Sequence, residues 1–211
     1  MSDPALSRLL AAAAAFLLRP PESAVLAALK EGAGLELDGE EARQNFYDVL
    51  CVPQSGRFLP SYAHVLGEGK LVKGGKEDWW HFPPPRYDGG DGLAPWYEAA
   101  GFDPLRLEID PMLQGPHRPL DQAGVVLAYL SGLVASREAE EGENAAADGV
   151  LAAFLSEHAG DWLDLFCSLL KGSGSAYLEA VAAAVEEALV EARLRYGAAS
   201  NRPVSEASLH A

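Results

Sequence analysis

Apolar residues recur along most of this chain at intervals of three and four, the period of a helix that buries one face. Leu6, Leu9, Leu10, Ala13, Phe16 and Leu17 open it with such a stripe. Pro21-Glu22-Ser23 predicts the start of a second helix, with Val25, Ala28 and Leu29 inward and an end near Gly32 and Gly34. Asp38 is placed to cap a third, which runs from Glu40 past Phe46, Val49 and Leu50 until Pro53 stops it. A short helix over 94–100 has Pro95 in its first turn and Gly101 as its stop. Leu120, Ala123, Leu127, Leu130 and Val134 mark a longer one. Leu151, Phe154, Leu155, Trp162, Leu165, Phe166 and Leu169 mark another. Gly172-Ser173-Gly174-Ser175 ends it and can cap the last, which carries Leu178, Val181, Val185, Leu189 and Ala192.

Three stretches break the pattern. Gly67 to Gly92 holds many glycines and the run Pro83-Pro84-Pro85, which disfavour both helix and sheet and predict one long irregular loop. Trp79, Trp80, His81 and Phe82 lie inside it, either to pin the loop to the body or to line a partner site. Gln114 to Pro119 is rich in Pro and Gly and predicts a turn, a possible hinge near 111–119. Ser136 to Asp148 is an acidic break, a solvated face or loop. No alternating run is long enough for a sheet. The expected fold is therefore all-α: a single bundle-like domain over 1–197 of about eight or more helices, with a flexible tail over 198–211.

Composition narrows the partners. Lys plus Arg is 16 against 31 for Asp plus Glu, a net charge of −15 over 211 residues. That argues against nucleic acid and anionic membrane, whose binders rely on basic residues, and favours a partner that carries positive charge. Cys51 and Cys167 are too few for a disulfide framework or a four-cysteine zinc site, which suits a reducing, cytoplasmic setting. Leu9 to Leu18 has the length of a signal-peptide core, but Asp3 accompanies Arg8 before it and no small-residue cleavage pattern follows Arg19-Pro20-Pro21. Its helical spacing reads as the first helix of a soluble fold, without membrane insertion.

Enzyme motifs fail. Gly69 to Glu77 has a glutamate where a phosphate loop needs Ser or Thr, and no strand precedes it. Ser173 and Ser175 do not sit in a nucleophile elbow. His158 and Asp161 are spaced to share a helix face, two ligands at most and more simply a hydrogen-bonded pair. The residues assign no catalytic role, cofactor or metal, and the expectation is a protein that is not an enzyme.

Four stretches together resemble one family. Cys51-Val52-Pro53-Gln54-Ser55-Gly56-Arg57-Phe58-Leu59-Pro60-Ser61-Tyr62 is similar to its Pro-Gly-rich turn and following Pro-Pro-Tyr-Glu-Ser. Pro95-Trp96-Tyr97-Glu98-Ala99-Ala100-Gly101-Phe102-Asp103-Pro104 is similar to its short helix ending in Ala-Gly-Phe. Pro119-Leu120-Asp121-Gln122 is similar to its Pro-x-Asp-His, and Phe154-Leu155, His158, Trp162 and Phe166 follow the spacing of a later helix. The family is the TorD/DmsD/NarJ-like group of redox-enzyme maturation chaperones, and the resemblance covers roughly residues 5–195.

The resemblance implies a cytoplasmic, all-helical chaperone. Its partner would be the twin-arginine signal peptide, or the apo catalytic subunit, of a molybdopterin oxidoreductase, held until the cofactor is inserted and export can proceed. It also implies a monomer or a domain-swapped dimer, and in some members guanine nucleotide binding. The candidate client-binding residues are Tyr62, Trp96, Tyr97, His117, Pro119, Asp121 and Gln122. Two departures stand out: the motif histidine is Gln122, which cannot become a cation, and Tyr-Glu-Ser is Tyr62-Ala63-His64. These changes suggest a client different from those of the best-known members. Physically, arginine pairs with carboxylate by two parallel hydrogen bonds and an apolar helix lies in an apolar groove. The other classes open to such a chain are a helical interaction domain with a different assembly partner and a nucleotide-hydrolysing enzyme.

Overall fold

The computed structural model describes residues 6–74, 78–86, 88–113, 120–140 and 144–197. Helix α1 (Leu6–Leu18) buries Leu6, Leu10, Ala13, Ala14, Leu17 and Leu18, the stripe its spacing predicts. It packs mainly on α6 (Ala123–Ala139) and α9 (Ala176–Tyr196). The first turns of α6 are buried all round, from Ala123 through Leu127, which makes it the central helix. Gly124 permits the close crossing of α1: a Cβ there would come within 2.6 Å of the Leu18 side chain. One contiguous hydrophobic cluster joins α1, α6, α9 and the helices around them.

Helix α2 (Ser23–Ala33) ends at Gly34, with φ of +67°. Helix α3 (Gly39–Phe46) starts as the sequence predicts, Asp38 Oδ1 accepting the Glu40 and Glu41 amides at 2.9 Å. It widens into a π-turn over Tyr47–Cys51, where the Val52 amide donates to the Tyr47 carbonyl at 2.9 Å. The short helices α4 (Ala63–Gly67) and α5 (Ala94–Ala99) follow.

Three expectations are corrected. The single helix over Leu151–Leu169 is two, α7 (Ala145–His158) and α8 (Asp161–Lys171), interrupted at Ala159-Gly160. Both bury their apolar faces in the same core, so the stripe persists across the break; Trp162 Nε1 spans it, donating to the His158 carbonyl at 2.9 Å. The helix expected from Leu120 starts at Ala123, because Gln122 Oε1 accepts the Val125 amide at 3.1 Å and caps it. The long loop is not wholly irregular: β1 (Lys70–Val72) and β2 (Trp79–His81) form an antiparallel hairpin that pairs Leu71 with Trp80 and Val72 with Trp79. These are branched and aromatic residues that favour strands, and the prolines fall beyond them, where 82–86 is irregular. Trp80 stacks on Phe82 at 5.9 Å, while Trp79 is exposed.

The acidic break is narrow. Helix α6 continues to Ala139, and Asn144 caps α7 by accepting the Ala147 amide at 3.1 Å. The described residues thus form nine α-helices and one two-stranded hairpin, and none of these helices is long and apolar enough to cross a membrane.

Candidate functional site

The segment before α4 and the segment before α6 meet as a single antiparallel bridge, Tyr62 opposite Gln122. The Ala63 amide donates to the Asp121 carbonyl at 3.1 Å, and the Ala123 amide to the Ser61 carbonyl at 2.8 Å. Asp121 stands just outside α6, so it does not serve as that helix's first-turn acid. Its carboxylate serves α4 instead. Oδ2 accepts the His64 backbone amide at 2.7 Å and lies 2.7 Å from His64 Nδ1. Tyr62, the N-cap of α4, makes no side-chain cap of its own, and Asp121 supplies the missing acceptor from a distant part of the chain.

His64 links this carboxylate to the long loop. Its Nε2 accepts the Arg86 amide at 3.0 Å. An accepting Nε2 carries no hydrogen, so the hydrogen is on Nδ1 and donates to Asp121. Nε2, the atom that would relay a proton in a catalytic dyad, is occupied by a backbone amide; the pair is arranged to hold a loop. The Arg86 guanidinium pairs with Glu68 at 2.6 Å and with Asp88 at 3.5 Å. The Gly89-Gly90 turn then closes over the pair. A Cβ at Gly89 would come within 2.1 Å of the His64 ring, and one at Gly90, where φ is +82°, within 2.6 Å of the Asp121 amide nitrogen.

Gly89→Ala is accordingly expected to destabilise the fold by about 1–3 kcal/mol, the usual cost of forcing atoms into a packed site. Chemical denaturation measures it. An unchanged midpoint would show that the turn does not rest on His64.

The site is buried. Asp121 is 2% exposed, and its Oδ1 has no hydrogen-bonding partner among the described residues. Gln122 is taken up by structure: besides capping α6, its Nε2 donates to Ser61 Oγ at 3.4 Å. Tyr97 donates its hydroxyl to the Leu120 carbonyl at 2.8 Å. Burial, and then the Asp121 charge, push both the Tyr97 and the Tyr62 phenols above the ordinary tyrosine range.

The structure thus gathers Tyr62, Tyr97, Asp121 and Gln122 of the predicted set. Trp96 is next to Tyr97 in α5 but packs on a neighbouring aromatic group, 5.5 Å from Phe154 and 5.2 Å from His158. Tyr129 ties the two together, its hydroxyl donating to the Trp96 carbonyl at 2.9 Å and its ring 4.8 Å from that of Tyr97. His117 and Pro119 lie outside the described residues. His64, Gly89 and Gly90 also belong to the site, although no motif in the sequence marks them. The nearest signal was His64 itself, an imidazole standing two residues after Tyr62 in a stretch already singled out.

His158 and Asp161 do not share a helix face, since α7 ends at one and α8 begins at the other. No group of three or more metal-ligating side chains occurs among the described residues. Burial lowers the His158 pKa against the opposing pull of Glu157. Both cysteines are buried, and burial followed by the Asp110 charge pushes the Cys51 thiol up to about 12.

Compared with models of protein families, with curated proteins and with solved structures, the chain finds no match.

Proposed function

We propose that this protein is a cytoplasmic chaperone of the TorD-like kind, which binds the twin-arginine signal peptide or the apo catalytic subunit of a molybdopterin oxidoreductase during its assembly. One observation carries the reading. The stretches that resemble the family are scattered over residues 51–166, yet they pack together in space. Tyr62 pairs with Gln122, Asp121 binds His64, Tyr97 reaches Leu120, and Trp96 lies against Phe154 and His158.

The net charge of −15 adds support, because guanidiniums are the recognition groups of the proposed client. Asp121 is enclosed by the Gly89-Gly90 turn, so in this reading it sets the framework of the site, and it meets a client only when the turn moves aside.

The test is calorimetric titration with a synthetic twin-arginine signal peptide, beside a peptide in which both arginines are replaced by lysine. The twin-arginine peptide is expected to bind more tightly, and its affinity to fall with added salt, since exposed charge pairs are screened over about 8–10 Å at 0.1–0.15 M. Absence of binding both to the peptide and to the apo subunit overturns the reading.

A further inference from the structure

Away from the bridge, a groove of about 640 Å³ runs between the corner that joins α1 to α2, the end of α3, and residues 107–111. Pro20, Pro21, Tyr47, Leu107, Ile109 and Pro111 give it an apolar floor. A second depression continues it along α3 and shares Tyr47 and Arg43 with it. The floor is fixed before any ligand arrives. Tyr47 donates its hydroxyl to Asp110 at 3.0 Å, the Met112 amide donates to the same carboxylate at 2.8 Å, and the Asp110 amide donates to the Leu18 carbonyl at 2.8 Å. Such preorganisation removes part of the ordering cost of binding.

The rim has a definite charge. Glu22, Glu108 and Asp110 border the first depression and Glu40 and Glu41 the second, five carboxylates against the two guanidiniums of Arg19 and Arg43. Arg19 and Glu108 neutralise each other, which leaves four carboxylates against Arg43. Glu22, Glu40 and Glu41 are exposed.

We infer that this groove is the docking site for an arginine-bearing, partly apolar peptide: its guanidiniums engage Glu22, Glu40 and Glu41, and its apolar residues lie on the proline-lined floor beside Tyr47. This rests on the reading that the chain binds a twin-arginine signal peptide, and it names where. The bridge and its buried carboxylate then belong to the framework, and the groove to the surface that first meets the client.

The experiment compares two double charge reversals, using the synthetic twin-arginine peptide at low salt. Glu22→Lys with Glu41→Lys alters the rim, whereas Glu179→Lys with Glu187→Lys makes the same change of net charge on the exposed face of α9. Glu22 is the N-cap of α2, and Glu41 and Glu179 lie in the first turns of α3 and α9, so thermal melts of both pairs establish what each costs the fold. The rim pair is expected to lose about ten-fold in affinity, and the α9 pair less than about two-fold, through the overall field alone. A benzophenone in the apolar part of the peptide is expected to cross-link to Pro20, Tyr47 or Ile109. Equal losses for the two pairs, or cross-links confined to other surfaces, overturn the groove while leaving the peptide-binding reading intact. A peptide that fails to bind the unaltered protein removes that reading, and the groove with it. Self-association that the rim pair abolishes, in the absence of peptide, would assign the groove to a second copy of the chain and overturn the proposal.

Discussion

Asp121→Ala is expected to lower stability by about 3–5 kcal/mol, because it leaves two buried donors without their acceptor at roughly 1–3 kcal/mol each. The cause is specific. Oδ2 holds both the His64 amide and His64 Nδ1, and their removal strands two donors in a site that is 2% exposed at residue 121. The first turn of α4 loses its cap, and the Arg86 segment loses the oriented imidazole that accepts its amide. At about 2–4 °C per kcal/mol for a chain of this size, the melting temperature should fall by roughly 10 °C. Asp121→Asn keeps an oxygen able to accept both bonds and should lose the charge assistance of the two, about 2–3 kcal/mol in all. Thermal melts of the two variants separate the contributions. Equal, small losses would show that the carboxylate does not hold α4.

Phe154→Ala should cost a comparable amount, about 3–5 kcal/mol, for a different reason. Phe154 is fully buried at the centre of an aromatic group, with ring centres 4.7 Å from Tyr129, 5.4 Å from His158 and 5.5 Å from Trp96. Its deletion leaves a cavity where α5, α6 and α7 meet. Phe154→Leu fills most of that space and should recover at least half of the loss. Denaturant midpoints measure both, and Trp96 emission, read against the other three tryptophans, should shift to the red in the alanine variant as water approaches. A loss below about 1 kcal/mol would mean that the neighbouring rings close over the gap.

What the sequence disclosed, and what it hid, follows the range of the interactions. The stripes of α1, α6 and α9 were legible because burial with helical period is written locally, within one or two turns. Asp38 was legible for the same reason, since its cap bonds reach only two and three residues ahead. The break between α7 and α8 was hidden because Leu155 and Trp162 keep the same face toward the core on either side of it. The hairpin was hidden because three-residue strands are too short to display an alternation.

The site was half legible. Tyr62, Tyr97, Asp121 and Gln122 could be nominated from motif pattern, but their partners could not. Asp121 precedes an apolar helix and so looks like a helix-start acid. That it caps another helix, through a residue 57 positions earlier in the chain, is a tertiary fact without local trace. His64 and Gly89 likewise meet across the fold, where the Arg86 amide on His64 Nε2 brings the loop over α4.

The packing of the first helix has a consequence for how the chain is made. Leu6, Leu10 and Leu17 find their cover on α6 and α9, and neither exists while α1 is leaving the ribosome. Residue 123, where α6 begins, follows the end of α1 by roughly a hundred positions, on the order of ten seconds at about 5–20 residues per second. For that interval an apolar helix travels without its partner. Throughout that interval the apolar face of α1 has no cover from α6 or α9, and the layer over it closes only once both helices are present.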